Sequence, residues 1–93
     1  MLNIRYTNKF KADYKQALKR GKKEDKLRKV IELLANRIVL PEKYRDHKLT
    51  NSKDYENVRE CHIEPDWLLI YEIIGDELIL NLLRTGSHSD LFW

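Results

Sequence analysis

The sequence predicts an α+β domain with the element order β-α-α-β-β-β, and three observations carry that reading. Apolar residues recur at helical spacing in two successive segments, three later runs have the apolar content or alternation of strands, and turn residues separate those runs. At 93 residues the chain is long enough for one core and too short for two, so a single domain over residues 1–93 is expected.

Leu2-Asn3-Ile4-Arg5-Tyr6 alternates apolar and polar residues and reads as a short strand. Thr7 or Asn8 then caps a helix marked by Phe10, Tyr14, Ala17 and Leu18, which the chain leaves at Gly21, a residue that tolerates positive φ. Leu27, Val30, Ile31, Leu34 and Ile38 mark a second helix, expected to run on until Pro41 ends it. From Pro41 to Asp54 the pattern is polar and irregular, a loop containing His47. Three strands follow, Tyr55 to His62, Trp67 to Ile74 and Leu78 to Thr85, with turns at Pro65-Asp66 and Gly75-Asp76. Gly86 allows a sharp exit, and Ser87 caps a final helical turn.

Register follows from the turns. If Gly75-Asp76 centres the second hairpin, Ile73 faces Leu78, Tyr71 faces Leu80, Leu69 faces Leu82 and Trp67 faces Arg84. If Glu64-Pro65 centres the first, His62 faces Trp67. His62, Trp67 and Arg84 then form one row across three strands, with opposed Cβ atoms about 5 Å apart. The same parity puts Leu69, Leu80, Leu82 and Glu60 on the face of the row, so either the row lies beyond the covering helices or a bulge re-aims it.

Composition narrows the class. With 42% apolar and 35% charged residues the chain reads as a soluble globular protein, and its apolar runs fall far short of the roughly 20 residues of a membrane span. The N-terminal stretch lacks a basic-then-apolar targeting pattern, and the single Cys61 fits a reducing compartment, so a cytoplasmic location with no membrane contact is expected. The net charge of +3, with lysines and arginines concentrated between Lys9 and Lys29, favours anionic partners such as nucleic acid or an acidic protein.

His62, Asp66, Arg84 and His88 come from separate stretches that meet at one end of the predicted sheet. Cleaving RNA by attack of a 2′-hydroxyl on the adjacent phosphorus needs a base, an acid for the 5′-oxygen and a cation for the phosphorane, and it needs no metal. Histidine serves either proton transfer, arginine's planar fork matches phosphate oxygens, and Trp67 and Phe92 can stack on bases. His62 with Asp66, or His88 with Asp90, lacks further ligands at recognised metal spacing, so no metal and no cofactor are expected.

The stretches Asp46-His47-Lys48-Leu49, Arg59 to Tyr71 and Leu83 to Phe92 resemble the YafQ branch of the RelE/ParE toxins of bacterial type II toxin-antitoxin systems. The resemblance covers the chain in order of elements. It implies a helical hairpin packed on a four-stranded, mostly antiparallel sheet to which the first strand adds in parallel. It also implies a metal-independent endoribonuclease that cuts mRNA on the ribosome, is held inactive by an acidic antitoxin, and meets operator DNA only in complex with that antitoxin. Carried over by position, His88 is the general acid, Asp66 or His62 the general base, and Arg84 the phosphorane cation, while His47, Trp67 and Phe92 position RNA. Thr50 to Asn57 departs from the family pattern, which has a Gly and a Trp there. Asn51 is expected to supply the turn and Tyr55 to fill the place of the Trp, and the approach of His47 to the site depends on it.

Two other functions are compatible with the same fold, a ParE-like topoisomerase poison and a catalytically silent antitoxin-binding module. Codon-positioned cuts in an in vitro translation reaction distinguish the ribonuclease from both.

Overall fold

The computed structural model describes residues 1–49 and 58–92. In it α1 (Asn8–Lys19) and α2 (Glu24–Ala35) pack against a sheet of β1 (Asn3–Tyr6), β2 (His47–Lys48), β3 (Val58–Glu64), β4 (Trp67–Ile74) and β5 (Ile79–Gly86), and α3 (His88–Phe92) follows the last strand. The spatial order is β1-β5-β4-β3-β2, with β1 parallel to β5 and the other neighbours antiparallel. The expected four-stranded sheet therefore gains a fifth strand, the two-residue β2, in a stretch expected to be loop. Asn51 and Tyr55 lie outside the described residues.

Thr7 is the cap of α1. Its hydroxyl accepts the Phe10 amide at 3.0 Å and donates to the Leu83 carbonyl at 2.9 Å, tying the helix start to β5. At the other end Gly21 takes φ +83°, and the Gly21 and Lys22 amides return to the Leu18 and Ala17 carbonyls, closing the last turn. α2 stops at Ala35, short of the expected Ile38. Arg37 enters the left-handed region at φ +57°, and the Arg37 and Ile38 amides bond back to Leu34 and Leu33, so the helix is closed before Pro41 can act. Ile38 is left exposed.

One core lies between helices and sheet. Phe10, Ala17, Leu27, Val30 and Leu34 meet Cys61, Trp67, Leu69, Tyr71, Leu80 and Leu82, each such large apolar side chain contributing about 1.5–3 kcal/mol relative to exposure. Among the described residues no helix is long and apolar enough to cross a membrane.

The observed register corrects the expected one. Gly75–Glu77 forms a 3-10 turn and Leu78 sits in the left-handed region at φ +56°, so the hairpin closes at Ile74 opposite Ile79. Ile73 faces Leu80 and Tyr71 faces Leu82; a bulge then places Ile70 opposite Arg84 and Leu69 opposite Thr85. In the first hairpin Pro65-Asp66 is the turn, Glu64 faces Trp67, and a second irregularity before Glu64 leaves His62 facing Leu68. The row of His62, Trp67 and Arg84 does not form. Cys61 belongs to the core, so Glu60 and His62 on either side of it alternate to the opposite face, away from the helices.

Candidate active site

Four elements build the site. β3 places Glu60 and His62 two residues apart on one face, β2 brings His47 directly opposite Glu60, the Pro65-Asp66 turn carries Asp66, and α3 carries His88 and Phe92. The rings line up in sequence, with centroids 6.2 Å apart for His47 and His62, 5.7 Å for His62 and His88, and 6.5 Å for His88 and Phe92. Three histidines that are far apart in the chain thus become neighbours.

Each imidazole is oriented by a partner that can only accept a proton. His47 Nδ1 lies 2.7 Å from the Arg45 carbonyl and His62 Nδ1 3.3 Å from the Pro65 carbonyl, so each donates from Nδ1. Both Nε2 atoms lie 3.5 Å from the same oxygen, Oε1 of the buried Glu60. His88 donates from Nδ1 to Asp66 Oδ1 at 2.6 Å, and its backbone N–H meets the same oxygen at 2.9 Å. The His88 backbone amide first, and its side chain second, hold the Asp66 carboxyl below the usual carboxylate range. An acid so held is a weak base. Asp66 is placed to orient His88 through Nδ1.

The seating of α3 reaches back to α1. Ser87 caps it, as expected, by accepting the Asp90 amide at 3.2 Å, while Asp90 accepts the Ser87 amide at 3.0 Å in a reciprocal box. Arg20 clamps Asp90 with two bonds, at 2.6 and 3.2 Å, which with the Ser87 amide depress the Asp90 carboxyl strongly.

Two predicted site residues stand elsewhere. Trp67 is 2% exposed, packs in the helix-facing core, and donates its indole N–H to the Thr85 hydroxyl at 3.0 Å, so it offers no face to a base. The turn at Pro65-Asp66, which sets Glu64 instead of His62 opposite Trp67, is the physical reason. Arg84 turns to α1, where Asp13 takes its Nε at 2.6 Å and Nη2 at 3.2 Å. Asp13 also accepts the Thr85 amide at 3.2 Å.

The same face offers a second chemistry. One ligand atom each from His47, Glu60 and His62 lie within 4.8 Å of one another, a nitrogen, nitrogen and oxygen set suited to Zn²⁺ or Cu²⁺, and the Nδ1 bonds to backbone carbonyls are the outer contacts that such ligands use. This trio differs from the pairs weighed in the sequence.

The model of the family described as the bacterial toxin of type II toxin-antitoxin system, YafQ, matches residues 2–93. The chain belongs to the YafQ toxin family. It is 41% identical over 91 residues to a protein named mRNA interferase toxin YafQ from Escherichia coli BL21-DE3, covering 97% of this chain and 95% of that one. The YafQ fold is shared with the structure of the E. coli DinJ-YafQ complex, at TM-score 0.91 and 39% identity over the full length of both chains. It is equally shared with a metal-bound toxin from Helicobacter pylori, at TM-score 0.93 and 43% identity over 99% of this chain and all of that one.

Within this YafQ fold, the sequence reading missed what holds His47 in place. Asp46 accepts from Arg59 Nε and Nη2 and from the Tyr71 hydroxyl, pinning β2 to β3 immediately before His47. It also missed Glu60 as the shared partner of two histidines. A signal existed for Glu60, since Glu60 and His62 two apart in a strand must share a face. Nothing local in the sequence pairs Asp46 with Tyr71 or Asp13 with Arg84.

Proposed function

We propose that the protein is a ribosome-dependent endoribonuclease that cuts mRNA by metal-free proton transfer between two imidazoles, and that a cognate acidic antitoxin holds it inactive in the cytoplasm. The observation that carries this reading is the His62–His88 pair at 5.7 Å, with His88 fixed through Nδ1 by Asp66. His62 Nε2 takes the proton of the 2′-hydroxyl as the O2′–P bond forms. The P–O5′ bond breaks, and Nε2–H of a protonated His88 gives its proton to the departing 5′-oxygen. The products are a 2′,3′-cyclic phosphate and a 5′-hydroxyl. Arg84 is the proposed phosphorane cation, and reaching the phosphate requires its fork to exchange the Asp13 carboxylate for phosphate oxygens. His47 and the exposed Phe92 position RNA, one at each end of the ring row.

Support for the substrate and the partner comes from relatives. The E. coli proteins named mRNA interferase toxin YafQ are similar over nearly the whole chain, and a similar YafQ is solved in complex with DinJ, described as a toxin-antitoxin complex. Translation in a defined extract, followed by primer extension, tests the reading. Cuts at codon positions that persist in EDTA, leave a cyclic or 3′-phosphate end and vanish with a 2′-deoxy scissile nucleotide are expected. A 3′-hydroxyl end would sink the mechanism, and gyrase inhibition without cutting would place the protein with the topoisomerase poisons.

A metal reading is favoured by the His47, Glu60 and His62 trio and by the similar metal-bound H. pylori toxin. A cation there would occupy the lone pair that the proposed base needs. Added Zn²⁺ or Cu²⁺ should therefore stop cutting, and a chelator should restore it; cutting that instead requires the metal would make the trio a catalytic centre.

A further inference from the structure

A cavity of about 420 Å³ opens from His62 across the outside of β3 toward α2, and its wall is strongly cationic. Lys29, Lys43 and Arg45 line it, and none has an ion-pair partner among the described residues. The single acid in the wall, Glu64, is taken up by Lys22 at 3.0 Å and Lys26 at 2.8 Å, which removes the charge that would repel an anion. Lys43 is held above the ring of the buried Tyr44, 5.1 Å from its centroid, so its ammonium has a fixed seat. Arg45 adopts a left-handed backbone at φ +47°, uncommon outside glycine, and its carbonyl is the acceptor that orients His47. One residue thus lines the cavity with its side chain and aims a site histidine with its backbone.

We propose that this cavity is a phosphate subsite, binding the phosphodiester backbone of the mRNA strand next to the scissile linkage through Lys29, Lys43 and Arg45. The proposal rests on the ribonuclease reading for its direction, since the cavity begins at His62, and gives that site a second point of attachment. Binding there holds the scissile phosphate near the imidazoles without taking part in bond cleavage, so it governs affinity for RNA longer than the cut dinucleotide. A ribosomal RNA phosphodiester has the same chemistry and is the rival occupant.

The test uses the full chain with two uncleavable probes, a 2′-O-methyl dinucleotide and a 2′-O-methyl hexanucleotide, titrated at two salt concentrations, beside sedimentation with ribosomes free of mRNA. Lys29→Gln, Lys43→Gln and Arg45→Gln, each confirmed folded by its melting curve, should weaken hexanucleotide binding and lower its salt slope by about 0.7 per lost phosphate contact. For Lys29→Gln and Lys43→Gln, dinucleotide binding and sedimentation with empty ribosomes should stay as in the wild type. Equal hexanucleotide binding by wild type and all three variants overturns the subsite. Loss of sedimentation with empty ribosomes while hexanucleotide binding survives overturns it in favour of ribosomal RNA. Failure of the wild type to cut mRNA, read separately by primer extension, rejects the ribonuclease reading whatever the titrations give.

Discussion

Tyr71 and Asp46 meet across the sheet at 2.5 Å, the Tyr71 hydroxyl donating to a carboxylate that Arg59 also grips. Burial, then the Asp46 carboxylate, raise the Tyr71 hydroxyl well above its ordinary range, and the Asp46 bond raises Arg59. The hydroxyl therefore remains a donor at any physiological pH, and the residue after Asp46 is His47. Tyr71→Phe should cost about 1.5–3 kcal/mol of stability, from one lost hydrogen bond to a charged group that keeps its arginine. It should also slow cutting, and that loss should disappear in a His47→Ala background. Denaturant melts and a double-mutant cycle check both; an equal loss with and without His47 would reject Asp46 as its anchor.

His88→Ala and Arg84→Ala should each bind ribosomes nearly as well as the wild type and cut far more slowly, by about 100- to 10,000-fold for the acid and 100- to 1,000-fold for the cation. Asp66→Asn should retain part of the activity, because an amide oxygen still accepts the His88 Nδ1 proton. An Asp66→Asn variant as dead as His88→Ala would return the role of base to Asp66. Single-turnover cutting on preassembled ribosomes measures all three.

Trp67 provides a contrast. As a core residue, Trp67→Ala should cost about 3–5 kcal/mol, whereas Trp67→Phe should cost about 1–2 kcal/mol, mainly the indole and its bond to Thr85. The folded fraction of Trp67→Phe should cut at the wild-type rate. Circular dichroism melts beside cutting assays test this, and a folded but inactive Trp67→Ala beside an active Trp67→Phe would restore its role in stacking.

Acid should loosen α3 before it melts the core. The Asp66 and Asp90 carboxyls are both depressed, Asp66 chiefly by the His88 amide and Asp90 chiefly by Arg20. A depressed carboxyl contributes stability that is fully present above its unfolded value near about 3.9 and is lost as the pH falls through the lower native value. The backbone signals of Asp90 to Phe92 should therefore shift below about pH 4, earlier than those of β4, in an NMR acid titration. Core signals that move together with α3 would contradict this order.

The sequence made the element order and most of the site legible because both rest on local signals. Helical spacing, Thr7, Gly21 and Pro65-Asp66 act within a few residues, and His47, His62, Asp66, His88 and Phe92 do converge. Register was harder, since it depends on the number of residues in each turn. The Pro65-Asp66 turn, Leu78 in a left-handed conformation and bulges in two strands shift the pairs, and together they take His62 and Arg84 off the face that Trp67 shares with Leu69. The partners of Arg84 and Tyr71 were invisible because Asp13 and Asp46 are distant in the chain and carry no pattern that points across the fold.

The pairing of β1 with β5 also orders the protein's emergence in time. Asn3–Tyr6 is made first but has no ladder until Ile79–Leu82 is made, and α1 has no strand beneath it until then. Such non-local closure delays folding until late segments exist. Arg84 and His88 are themselves in those last segments, so a nascent chain that stops before Ile79 lacks β5, the strand between β1 and β4, and two of the proposed catalytic groups together. Under the proposed function the product is thus unarmed while most of the chain is still unmade, and the proposed antitoxin has nothing to neutralise until β5 is in place.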